Sequence, residues 1–302
     1  MKNLTSWYTR GLFLVVISAV AWFVWKNVSK IGNHDFTIRW SYLIPAALAA
    51  LAFYLFSFAV WRILARRFGV KARLVNEGKA FFISQLGKYV PGKVTLLLLR
   101  LEGYRGNSKR NVTIATGVEM IASLASWCLI VSALLVFLPS GAHNYIRYTG
   151  IGGVVVLISL LNPTFLKRFV NWALRLFGRE CIDEIPSYGV MLRFVAVYMV
   201  GGLLQGLVIY FVLNSFFPVS LYYYPAVTAA YLSAVLIGIA AVFAPSGIGV
   251  REGILFLALP MVAPKPSIVA SVVATRLLLT FVEVSLGIVA TIAARISPDN
   301  EQ

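Results

Sequence analysis

Two short stretches carry most of the residues suited to chemistry. The first runs Lys88-Tyr89-Val90-Pro91-Gly92-Lys93 and continues to Arg100; the second runs Ala244-Pro245-Ser246-Gly247-Ile248-Gly249-Val250-Arg251-Glu252. Each breaks an apolar block with proline and glycine and then supplies a cation. Such a break frees a helix N-terminus, whose unpaired N–H groups and partial positive charge suit a phosphate or carboxylate. The plainer alternative is a pair of interhelical loops built from turn residues. Glu119, Arg276 and Glu283 lie deep in apolar runs, where a lone charge costs at least ~2.5–3.5 kcal/mol. They are expected to face inward and pair. Arg276 with Glu119 is the preferred pair, because the two sit at matching places after the two breaks. Glu283 follows Arg276 by seven residues, which puts it on the same helical face two turns on, within reach of Arg251 or Lys88. Structural ion pairing is one reading of these charges. The other makes Arg276 a phosphate ligand and Glu119 or Glu283 a proton-linked carboxylate. No catalytic residue, metal site or cofactor is expected: His34 and His143 fall in predicted outer loops, and no carboxylate cluster stands near them.

The elements that must position these residues are membrane helices. Hydrophobic residues are 60% of 302, charged residues only 13%, and mean hydropathy is +0.83; a soluble domain carries about 25% charge. Apolar runs of spanning length, roughly 20 residues, recur along the chain. Spans are predicted at Gly11 to Trp25, Tyr42 to Leu64, Val112 to Leu138, Ile146 to Leu161, Val190 to Phe217 and Ser267 to Ile296. The first mimics a signal peptide, with Lys2, Arg10 and Ala19-Val20-Ala21, but its apolar run continues to Trp25 and it reads as a retained helix. Two blocks, Ala80 to Leu99 and Pro225 to Val262, contain the breaks and read as hairpins that return to the side they came from. The expected fold is an all-α integral membrane protein with about seven transmembrane helices, six of them in the runs just named, plus two broken, re-entrant hairpins. It forms a single polytopic domain over 1–302, with a candidate internal repeat whose halves are about 41–138 and 190–296. Between Pro163 and Gly189, Lys167, Arg168, Arg175 and Arg179 alternate with Phe165, Phe169, Trp172, Leu176 and Phe177, which suits either a helix on an anionic lipid surface or a plain connector.

Charge gives orientation. The net +16 comes from 27 Lys and Arg, most of them in short loops beside apolar runs. That pattern marks cytoplasmic loops and not a nucleic-acid-binding face. Both termini are then expected inside the cytoplasmic membrane, with Lys26, Lys30 and Arg39 the loop that disagrees. Cys128 and Cys181 form no CxxC pair and read as two reduced thiols.

The strings KYVPGKVTLLLLR, VEM at Glu119 and APSGIGVREGIL resemble the flippase-like membrane domain of lysylphosphatidylglycerol synthases, over about residues 10 to 296. Free-standing relatives of that domain belong to surface-glycan pathways. The family pattern Pro-Gly-Gly-Ile-Gly-x-x-Glu implies site roles for Pro245, Gly247, Gly249 and Glu252, with Ser246 in place of the first Gly. In the first motif Val94-Thr95-Leu96 stands where the synthase branch has Gly-Glu, which resembles the glycan-pathway branch. The resemblance implies lipid head-group translocation, or an accessory role in surface-lipid assembly. On the first reading Lys88, Pro91, Gly92, Lys93, Arg100, Arg251 and Arg276 surround the phosphate of a polyprenyl-linked sugar or an anionic phospholipid. On the second the chain is a subunit that anchors or regulates a lipid- or glycan-modifying enzyme. A homodimer is also open. Enzymatic activity is not expected, because the synthase activity of the relatives resides in an additional soluble domain.

Overall fold

A computed structural model describes residues 38–90, 95–136, 187–241 and 247–296, with scattered positions within 11–25 and 148–171. The predicted first and fourth spans, the stretch from Pro163 up to residue 186 and both termini lie largely outside the described residues. Among the described residues all regular structure is helical.

Helix α1, Leu43–Arg67, follows a 3-10 turn at Trp40–Tyr42. Its outward side chains, among them Ile44, Leu48, Leu51 and Leu55, are apolar and exposed, the reverse of a helix that faces water. Arg66 and Arg67 lie in its last turn, where the helix dipole favours cations. Gly69, at φ +72°, then closes the helix, with the Val70 N–H bonded to the Ala65 carbonyl. The turn into α2, Leu74–Leu86, is fixed by Glu77. Its buried carboxylate accepts from Arg62 Nε at 2.6 Å and from the Ala72 N–H at 3.3 Å.

Helix α2 has 13 residues, about 20 Å at ~1.5 Å per residue, too short for a hydrocarbon layer of about 30 Å. After a 3-10 turn at Gly87–Tyr89 and the break, α3 runs Thr95–Gly103. The two pack as an antiparallel pair because glycine stands at each end. A methyl on Gly87 would meet Leu96 N at 2.6 Å, and one on Gly103 would meet Ala80 Cβ at 2.4 Å. Long helices α4, Lys109–Val136, and α5, Tyr188–Phe216, follow. Then come α6, Tyr224–Ala240, the short α7, Val250–Ala258, and α8, Lys265–Ile296. The order helix, break, nine-residue helix, long helix thus occurs twice, in α2–α4 and in α6–α8.

Five stretches are long and apolar enough to cross a membrane among the described residues: Trp40–Arg67, Lys109–Leu134, Tyr188–Phe216, Leu221–Ala240 and Lys265–Ile296. The chain is a multi-pass membrane protein. One expectation changes here. Both limbs of the first broken block are short, but the first limb of the second has 20 residues with its preceding turn, enough to cross and not only to dip and return.

Helix α5 sits centrally, packed on α1, α4, α6 and α8, while α8 touches both α2 and α7. The two broken pairs therefore meet one common helix. Arg39, one of the three cations that disagree with the charge rule and the one among the described residues, is tied to the end of α5. Its side chain donates to the Asn214 carbonyl and its N–H to Ser215 O at 2.9 Å, so the dipole of α5 offsets it.

Candidate functional site

Helix α8 presents Arg276, Thr280 and Glu283 on one face, at spacings of four and three. The first break comes to this face. Lys88 Nζ lies 2.7 Å from Glu283 Oε1. The Tyr89 hydroxyl donates to Glu283 Oε2 at 3.2 Å and stands 2.8 Å from Thr280 Oγ1. Glu283 is fully buried, so both its oxygens are engaged where water does not reach. Lys88 Nζ also lies 5.3 Å from the Tyr89 ring centre and 5.8 Å from that of Tyr54, within range of the ring quadrupoles. Of the two partners expected for Glu283, Lys88 is the one it takes.

The second break reaches the same face about two turns away, at Arg276. Gly249 caps α7 at φ +89°, a conformation open to glycine at little cost. Three residues on, the Glu252 carboxylate accepts the Gly249 N–H, the reciprocal arm of a capping box. Arg276 Nη2 stands 2.7 Å from Glu252 Oε1 and donates to the Gly247 carbonyl at 3.4 Å. The Glu252 contact is close in distance, but Oε1 accepts no hydrogen bond; it is a contact of charges.

Arg251 is different. It makes no hydrogen bond or ion pair among the described residues, and its Nε is buried without a partner. Its stem runs through a slot between Gly238 and Gly247. A methyl on Gly238 would fall 2.7 Å from Arg251 Cγ, and one on Gly247 would fall 3.0 Å from its Nε. Gly247 also has φ +69°.

Lys88, Tyr89, Arg251, Glu252, Arg276 and Thr280 line a cavity of about 60 Å³ together with Tyr54 of α1, Tyr231 of α6 and Thr275 of α8. Ile209, Val235, Leu255 and Leu279 give it apolar walls. The Thr275 hydroxyl is a second buried group without a partner. Of the three buried groups at this cavity without a hydrogen bond, Glu252 Oε1 is answered by the charge of Arg276, and the other two, Arg251 Nε and the Thr275 hydroxyl, are donors that suit an anion with several acceptor oxygens.

The structure separates the remaining sequence candidates from this cavity. Arg100 and Glu119 do not line it. Arg100 is fully buried, donates to the Glu119 carboxylate and to Ser84 Oγ at 3.2 Å, and stacks 3.9 Å above the Trp61 ring. Trp61 in turn donates to the Tyr104 hydroxyl at 2.8 Å. Burial pushes the Tyr104 phenol up to about 12, so it stays neutral. The expected Glu119–Arg276 pair is therefore not formed. Each long helix instead pairs this charge with the short helix preceding it, Glu119 of α4 with Arg100 of α3 and Arg276 of α8 with Glu252 of α7. Arg100 as a phosphate ligand is corrected with it: close packing of Gly103 on Ala80 turns Arg100 into the interior of α1, α2 and α4. Pro91, Gly92, Lys93, Pro245 and Ser246 lie outside the described residues. Sequence reasoning missed Tyr54, Tyr231, Thr275 and Thr280. Only Thr280 carried a signal, its spacing of four from Arg276.

A model of the family described as the lysylphosphatidylglycerol synthase TM region matches residues 11–287, nearly the whole chain. A search of curated proteins found no match.

Proposed function

We propose, since the chain belongs to the lysylphosphatidylglycerol synthase TM family, that it translocates a phosphate-headed lipid whose head group passes through the cavity between the broken helix pairs. The family makes it a membrane protein of lipid handling; the transport step and the cargo are our reading. One observation carries it. Arg251, with no hydrogen bond or ion pair among the described residues, keeps its Nε buried among membrane helices, where a lone charge costs at least ~2.5–3.5 kcal/mol, and it lines the cavity with Lys88 and Arg276. A group so costly is retained where it is used.

On this reading the lipid phosphate meets Arg251 first and Thr275 beside it, while the acyl or isoprenoid tails stay in the bilayer. Lys88 and Arg276 are held by Glu283 and Glu252 until the phosphate competes for them. Movement of the two broken pairs about α8 would expose the cavity to one leaflet and then the other. The cargo is a polyprenyl-phosphate-linked sugar or an anionic phospholipid or glycolipid. The protein sits in the cytoplasmic membrane with its basic loops inside. No bond is made or broken.

The test is head-group translocation of a fluorescent short-chain phospholipid in vesicles holding the purified chain. Arg251→Ala is expected to lower the rate at least tenfold while the circular dichroism stays that of the parent. An unchanged rate in this variant would remove the cavity from the pathway.

A further inference from the structure

The charges at the cavity do not balance. Lys88 is paired with Glu283, and Arg276 with Glu252. Each of those pairs is neutral within itself, and Arg251 belongs to neither. Three cations against two carboxylates leave one positive charge among the described residues.

We infer that the cavity selects a head group carrying one negative charge, the phosphodiester class, over phosphomonoesters and diphosphates. This rests on the reading of the cavity given above and narrows it. A phosphodiester brings one charge, which Arg251 meets without disturbing either resident pair. A phosphomonoester brings about 1.5 to 2 at neutral pH, and a diphosphate brings at least as much. The second charge must then break a resident pair and leave a buried carboxylate uncompensated, or itself stay uncompensated between apolar walls. Both routes weaken binding. Ile209, Val235, Leu255 and Leu279 offer nothing to a second anion.

The donors are those of a single group: Arg251 from α7 and the Thr275 hydroxyl from α8.

Two kinds of lipid carry this chemistry, a diacylglycerol phosphodiester and an isoprenoid phosphodiester of a sugar. The experiment measures dissociation constants of the full chain in detergent for short-chain phosphatidylglycerol, a short-chain isoprenyl phosphosugar diester and the matching isoprenyl diphosphate. At least one diester is expected to bind tenfold or more tightly than the diphosphate, and whichever diester is tighter names the source. Glu252→Gln keeps the capping hydrogen bond but raises the excess to two charges. It is expected to shift the preference toward the diphosphate about tenfold. A wild-type chain that binds the diphosphate as tightly as both diesters overturns the inference, and this comparison needs no variant. Failure of the cavity reading looks different: no probe binds, or Arg251→Ala binds all of them as the parent does.

Discussion

Arg251 and Arg100 are both arginines with buried guanidinium atoms, in nine-residue helices that follow a break, and they do opposite things. Arg100 donates to a carboxylate and a hydroxyl and stacks on an indole; its charge is answered within the fold. Arg251 has no such partner among the described residues. The same substitution should therefore change stability with opposite signs. Arg100→Met leaves Glu119 as a buried, uncompensated carboxylate, and an expected loss of about 3–5 kcal/mol is read as a lower unfolding temperature in detergent. Arg251→Met keeps the packing of the stem and removes a charge without a partner. Its unfolding temperature is expected to rise, by about 1–3 kcal/mol on the scale of an unsatisfied buried group, while anion binding is lost. Equal destabilisation in both would mean that Arg251 has a structural partner after all. Gly238 belongs to the same argument. Gly238→Ala places a methyl 2.8 Å from Arg251 Nε, so anion affinity should fall several-fold, measured by titration, with little change in unfolding.

At the scale of elements, the broken pairs are built differently although they share an order. The first is two short helices held close by Gly87 and Gly103; the second joins a helix of near-spanning length to a short one capped by Gly249. Gly103→Val is expected to force α2 and α3 apart, since even a methyl there meets Ala80 Cβ at 2.4 Å. Overpacking of this kind costs about 1–3 kcal/mol, visible as a lower unfolding temperature. Much of this level was legible in sequence. The breaks, the helix that begins at Val250 and the shared face of Arg276 and Glu283 follow from proline, glycine and a spacing of seven. The pairing was not. Symmetry suggested Glu119 with Arg276, but a pair is decided by which helices pack. Which helices pack depends on small residues such as Gly103, which lets α3 close on α2 at Ala80 and leaves no periodic trace.

Across the whole molecule, composition and apolar length were enough for the class, because no soluble core hides so much apolar surface. They were not enough for the cavity. Tyr54, Lys88, Tyr231, Arg251 and Thr275 come from five separate elements, and only the folded bundle brings them to one face of α8. The common helix also explains how two distant breaks serve one site: Lys88 reaches Glu283 across 195 positions of sequence. The central claim is that this site holds a lipid phosphate on Arg251. Native mass spectrometry of the chain extracted gently from its membrane tests it most directly. One phosphate-bearing lipid per chain is expected on the parent protein, and its loss is expected from Arg251→Met. Retention of that lipid by the variant, or its absence from both, would contradict the claim.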